Sequence, residues 1–360
     1  MKGSRFLTTA PIDELYNWFA DETAATSPTW ERLCRWIADT PELHPRLDAL
    51  PGQTRQPNRL LAAIRFLDGP TEPGSPFLTW LDQRWTDVEH VILTRTTQTN
   101  EPGRCAVIAP VLASLPQPVA LLELGSSAGL CLLPDHYAYR YDDQPTPATD
   151  TDAGSGPSIA ADSGPAKVTR PTAAALGAPE FPCHVTGLAP GDPADLRVAA
   201  RLGLDLNPLD PTDPGTRRWL RALIWPGEED REERLAQALE LASASPPPLR
   251  QADLTADPAA TITAALSDLR ALTPDATPVI THSAFLAYLS RDDRQAVVDA
   301  TQASGARWIS FEGPGVVPGI DATPPDPIPA NATFAVSLDG DPLGWAQAHG
   351  RSVHWRSRTA

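Results

Sequence analysis

The chain has 360 residues, 41% of them hydrophobic, and a formal net charge of −16 at pH 7. That length and apolar content suffice for one large domain or two ordinary ones. The acidic balance sets the average surface against phosphate backbones and anionic lipid, which disfavours a nucleic-acid partner.

At the N-terminus Asp13 and Glu14 interrupt the apolar stretch before a signal peptide could form, and no apolar run approaches membrane-spanning length. A cytoplasmic protein without a membrane partner is expected. Cys34, Cys105, Cys131 and Cys183 are far apart and form no C-x-x-C pair, so neither a metal site nor a disulfide framework is suggested. Buried or idle thiols are the expectation, and the oligomeric state is left open.

Residues 11 to about 95 carry Trp, Leu and Ile at three- and four-residue spacings, which predicts a run of helices separated by Pro/Gly breaks. We place a helical lid or flanking region over 1–116. The seven polar residues "RTTQTNE" (Arg95 to Glu101) follow the helices. They have two readings: Asn100 as a helix cap before Pro102, or a segment that feeds side chains over the mouth of a sheet.

From residue 117 the pattern changes to short apolar runs alternating with helical ones. "PVALLELG", "RLGLDLNPLD", "PPLRQADL", "ATPVITHSA" and "ARWISFEGPG" read as five strands, with amphipathic helices after the second, third and fourth. This alternation predicts an α/β domain over 117–360, a Rossmann-like, doubly wound, mostly parallel sheet covered by helices on both faces. "FAVSLDGDPLGWAQAHGRSVHWR" adds two extended runs, expected as an antiparallel C-terminal edge hairpin. Residues 142–178 have almost no large apolar side chains and are expected as a low-complexity, disordered insertion. Tyr137, Tyr139 and Tyr141 alternate, as packing residues of an extended segment or, for Tyr137, as a cleft residue.

Gly125-Ser126-Ser127-Ala128-Gly129 after the first strand fits two chemistries. As G-x-S-x-G it is a nucleophile elbow with Ser127 as the attacking serine, and Glu312 with His349 or His354 follows in the order a hydrolase triad needs. As a glycine-rich turn it is a cofactor loop over the first helix's N-terminus, with Asp205 at the end of the next strand placed for a ribose hydroxyl pair.

E-x-G-x-S-x-G followed by G-x-D-x-N-P resembles motifs one and two of the class I S-adenosylmethionine-dependent methyltransferases. "RTTQTNE", "ELGSSAGLCLL", "GLDLNPLDPTDPGTRRWLRALIWP", "THSAFLAYL" and "FEGPG" together resemble a bacterial family catalogued as domain of unknown function 2332. The methyltransferase resemblance implies S-adenosylmethionine as cofactor and a small molecule or peptide as methyl acceptor. It implies Glu123 as the anchor of the loop and Gly125, Ser126, Ser127 and Gly129 beside the methionine part. It places Asp205 and Asn207 at the ribose and Asp253 at the adenine. His282 and Glu312 become catalytic candidates, with Ser283 next to the cofactor and Arg95, Gln98, Asn100, Glu101 and Tyr137 as substrate-pocket candidates. The alternative is a non-catalytic ligand-binding module that kept the fold, suggested by the Cβ of Ser127 and by Pro134, which falls inside the expected first helix.

Overall fold

The computed structural model describes residues 8–98, 100–143, 167–320 and 333–356. The chain forms two compact units, Met1–Gln98 with Pro211–Ala236 and Thr99–Asp210 with Gln237–Ala360.

The first unit is helical. It holds α1 (Ile12–Thr23), α2 (Pro28–Ala38), α3 (His44–Asp48), α4 (Pro57–Phe66) and α5 (Ser75–Thr94). The helical expectation for residues 11–95 follows from the sequence and is met. In α2 the side chain of Ser27 caps the helix by accepting from the Trp30 N–H, Pro28 sits at the tolerant first position, and Trp30, Leu33, Cys34 and Ile37 form the buried stripe. Next in chain order comes α6 (Cys105–Ala113), which lies in the second unit, and then α7 (Pro214–Ala222) of the first, capped by the Asp213 carboxylate on the Gly215 and Thr216 amides.

The second unit is a mixed α/β structure built on one large, mostly parallel sheet. Its strands are β1 (Val119–Leu124), β2 (Ala138–Asp143), β3 (Lys167–Thr169), β4 (Glu180–Thr186), β5 (Val198–Asp205), β6 (Leu249–Gln251) and β7 (Thr277–Ser283). They continue with β8 (Arg307–Glu312), β9 (Phe334–Leu338), β10 (Asp341–Ala346) and β11 (Ser352–Trp355). Among the described residues the order is β3-β2-β4-β11-β10-β9-β8-β7-β1-β5-β6. The five expected strands are β1, β5, β6, β7 and β8, and all pair parallel. From β1 the chain steps outward to β5 and β6 on one side and to β7 and β8 on the other.

The remaining helices are α8 (Glu229–Ala244), α9 (Pro258–Leu272) and α10 (Arg291–Ala303). Ile262, Ala265, Leu266 and Leu269 of α9 and Val297 and Val298 of α10 share a core with Ala120, Leu122 and Leu124 of β1. Strand alternation therefore turns Glu123 to the opposite face.

Three expectations are corrected. No α-helix follows β1; two 3-10 turns, Leu130–Leu132 and Pro134–His136, lead instead into β2. Pro134 opens the second turn where its missing N–H costs nothing, and the Asp135 carboxylate takes a bidentate bond from Arg201 at 2.8 and 2.9 Å, tying the turn to β5. The C-terminal runs make three strands, not two, and they are interior: β11 pairs parallel with β4. The expected insertion is narrower, because Asp142 and Asp143 finish β2 and Lys167–Thr169 form β3; its central residues lie outside the described ones.

The tyrosines of and beside β2 pack and also satisfy backbone. Tyr137 donates to the Leu130 carbonyl at 2.8 Å, and Tyr139 donates to that of Pro134. Tyr141 donates at 2.8 Å to the Ala106 carbonyl in α6, the acceptor that Pro110 four residues on cannot serve because it has no N–H. Helix α6 is buried from Cys105 to Leu112, as its uniformly apolar sequence requires. Among the described residues no helix is long and apolar enough to cross a membrane.

Candidate functional site

Polar side chains gather at the carboxyl ends of β1 and β7, where the outward stepping of the chain reverses and where open α/β sheets leave a crevice. They fall into two clusters on opposite faces of the sheet.

On the face of α9 and α10, His282 ends β7 and Glu312 ends β8. Glu312 Oε1 lies 2.8 Å from His282 Nδ1 and accepts the Phe285 and Leu286 amides at 2.9 and 3.1 Å. The Trp308 indole N–H donates to His282 Nε2 at 3.0 Å. An indole nitrogen only donates, so Nε2 is the acceptor and Nδ1 carries the proton that goes to Glu312. The structure thus brings the two catalytic candidates together, yet both imidazole nitrogens are already engaged. Glu312 Oε2 is buried and has no partner.

On the other face, Glu123 of β1 is 4% exposed and its Oε2 has no partner. Burial pushes its carboxyl well above the ordinary range, and the nearby Cys131 sulfur adds to this while Arg104 opposes it. Arg104, 3% exposed, donates through Nε to the Ala348 carbonyl at 3.0 Å and through one terminal nitrogen to the carbonyl and hydroxyl oxygens of Ser283 at 3.1 and 3.4 Å. Cys131 Sγ lies 3.4 Å from the Glu101 carbonyl oxygen, and Cys105 Sγ lies 3.9 Å from the Cys131 carbonyl oxygen. A hydrogen bond from the Cys105 thiol lowers the Cys131 pKa below the ordinary thiol value, helped by Arg104 and Ser283, whereas burial raises that of Cys105.

The turn between β1 and these residues is closed. Gly125 and Gly129 have φ of +73° and +72°, and Ser127 adopts +50°. Phe285 packs against the Gly125 α-carbon, where any Cβ would collide with its ring; a Cβ at Gly129 would stand 2.6 Å from Pro247. Ser126, Ser127 and Ala128 are buried, and the Ser126 hydroxyl has no partner. Asn100 clamps the turn, donating to Ser127 Oγ at 2.6 Å and accepting from the Ala128 amide at 2.9 Å. It is therefore not the cap of the turn after it; the Glu101 side chain takes that place by accepting from the Gly103 amide at 3.1 Å. Asp205 accepts the Ser127 amide on one oxygen and the Asn207 amide on the other, each at 2.8 Å.

Other candidates lie apart. Asp253 is exposed and closes its own turn on Thr255. Tyr137 is fully buried edge-to-face on Phe181, so it lines no open pocket. Arg95 belongs to the helical unit, its guanidinium 4.5 Å from the ring centre of Phe66 and 5.8 Å from that of Trp219. Gln98, half-buried, ends the first segment of the same unit.

Sequence reasoning missed Arg104, Cys105, Cys131 and Trp308. The available signal was the cation in "EPGRCAVIAP", at the mouth of a helix too apolar to be anything but buried.

No curated protein and no solved structure matches the chain. A family model does, over residues 13–355, with the description "uncharacterized protein conserved in bacteria". The chain, matched over nearly its whole length, belongs to that family, domain of unknown function 2332.

Proposed function

We propose that this chain is a ligand-binding α/β protein that shares the strand order of Rossmann-like, methyltransferase-type domains without using the β1 turn as a cradle for S-adenosylmethionine. One observation carries the reading: the groups that the methyltransferase resemblance assigns to the cofactor are spent within the protein. Phe285 fills the approach to Gly125, Pro247 that to Gly129, and both Asp205 oxygens hold backbone amides. The N-terminus of an α-helix that would face the cofactor is replaced by a 3-10 turn. These residues do not fit the cofactor.

A ligand of this protein, a small molecule or peptide, would instead meet the carboxyl rim beside Arg104, Ser283 and Cys131. The serine-hydrolase alternative is weaker, because the Ser127 hydroxyl accepts from Asn100 and Glu312, the acid of that triad, is bonded to His282.

The test is a thermal-shift titration of the full chain with S-adenosylmethionine and S-adenosylhomocysteine. A ligand at a hundred times its Kd stabilises the native state by about 2.7 kcal/mol, a readable shift. We expect none up to millimolar concentration. A saturable shift that Asp205→Ala abolishes would overturn this reading and restore the methyltransferase.

A further inference from the structure

Strand β5 is longer than the strand outside it. It runs Val198–Asp205, whereas β6 pairs with Gly203, Leu204 and Asp205 alone and is the last strand on that side among the described residues. Residues 198–202 therefore form an open edge. The bonds along β5 fix which backbone groups face it. The Leu204 carbonyl accepts from the Gly125 amide on the β1 side. On the β6 side the Gly203 amide donates to the Pro248 carbonyl at 2.9 Å, and the Asp205 carbonyl accepts from the Ala252 amide at 2.8 Å. Arg201, two residues before Gly203, faces the β6 side as well, and among the described residues its N–H and C=O have no backbone partner there. Ala199 is an extra residue with no opposite number in β1.

A cavity of about 520 Å³ lies along this edge, with Ala199, Ala200 and Arg201 as its floor. Leu133 and His136, in the segment after β1, wall one side, and Leu272 at the end of α9, 74% exposed, walls the other. The outer wall is Pro246, Pro247 and Pro248. Prolines have no N–H, so the chain's own approach to β6 cannot donate to the Arg201 carbonyl and close the slot. The Arg201 guanidinium leaves no open charge at the floor, because it is spent on the Asp135 carboxylate and the Leu132 carbonyl.

We propose that the open edge of β5 is a docking slot for an extended, uncharged segment of another protein, which adds as a strand beside Arg201 and places an aliphatic side chain between Leu133 and Leu272. Apolar walls beside unpaired main-chain donors and acceptors are what strand addition uses: the backbone supplies the bonds and the pocket selects the side chain. The incoming strand supplies what the prolines lack. In antiparallel pairing a single residue gives its N–H to the Arg201 carbonyl and takes the Arg201 N–H on its own carbonyl. The slot lies along the amino half of β5, apart from the carboxyl rim, and does not depend on the ligand there.

The experiment titrates the full chain with a short peptide of alternating valine and threonine, blocked at both ends, and follows amide hydrogen exchange residue by residue. In the free chain the Arg201 amide should exchange about tenfold or more faster than the bonded Gly203 amide, and saturating peptide should slow it by a similar factor. The same peptide methylated on every backbone nitrogen should not bind. Leu272→Ser, a change at an exposed position that costs little stability, should weaken binding of the unmodified peptide. An Arg201 amide as protected as that of Gly203 in the free chain, equal binding of the methylated peptide, or no binding of the unmodified one at millimolar concentration overturns the proposal. Protection that grows with protein concentration alone would assign the edge to a second copy of the chain and overturn it too.

Discussion

Trp308 donates its indole N–H to Nε2 of His282 at 3.0 Å and so decides the tautomer of the imidazole, whose other nitrogen faces Glu312 at 2.8 Å. Nitrogen-15 NMR of the folded chain should show a protonated Nδ1 and an acceptor Nε2. Trp308→Phe should remove that preference and cost about 1 kcal/mol for the lost hydrogen bond, with a further loss from packing. An Nε2–H tautomer in the wild type would contradict the arrangement.

Glu312 is the acceptor on which the turn after β7 depends. Its Oε1 serves Phe285, Leu286 and His282 together, and Ala284 just before them adopts a φ of +49°. Glu312→Ala leaves three donors unmet, two of them buried, and a loss of at least about 2 kcal/mol is expected, read as a lowered urea midpoint. A change under half of that would mean that water replaces the carboxylate.

Gly125→Ala tests the closed turn. The added Cβ meets the Phe285 ring at a φ of +73°, so overpacking and backbone strain add, each roughly 1–3 kcal/mol. Asn100→Ala should cost less, about 1–3 kcal/mol, by orphaning the Ala128 amide and removing the bond to the Ser127 hydroxyl. Chemical denaturation of both variants ranks them, and Asn100→Ala as the worse of the two would show that the turn is open to a side chain.

The Glu123 carboxyl gives stability a pH dependence of known sign. Its folded pKa is raised above the ordinary 4.5, so between that value and the folded one the unfolded chain releases a proton that the folded chain keeps. The contribution is fully present below about 4.5 and is lost as pH rises toward the folded pKa, by up to about 1.4 kcal/mol per pH unit. Glu123→Gln should therefore flatten the decline on the alkaline side and gain most over the wild type there. Urea midpoints across pH check this, and parallel curves for the two proteins would refute it.

The parallel strands were legible because each is a short apolar run bounded by turn residues, and β1, buried along its whole length, reads as "VALLEL". β4 was not, because "EFPCHVT" carries a proline and an alternating, half-exposed pattern beside a low-complexity stretch. The turn after β1 misled for a physical reason. A glycine-rich turn followed by "LCLL" suggests a loop opening a helix, but the pull of Arg201 on Asp135 and Pro134 after Leu133 favour a short 3-10 connection. Arg104 escaped notice since a single cation in an apolar segment has no periodicity to mark it; its role depends on Ala348 and Ser283, remote in sequence.

Strand β4 has two neighbours, β2 and β11, and β11 is the last described strand. During synthesis, then, β2, β3 and β4 wait as a three-stranded fragment with an open backbone edge while some 170 residues of chain emerge. Only when Ser352–Trp355 arrive do the two parts of the sheet become one. A ribosome that stalls before that point releases a chain whose unpaired β4 edge is free to pair with another chain, so rescue by chaperones should matter most for products truncated between β10 and β11.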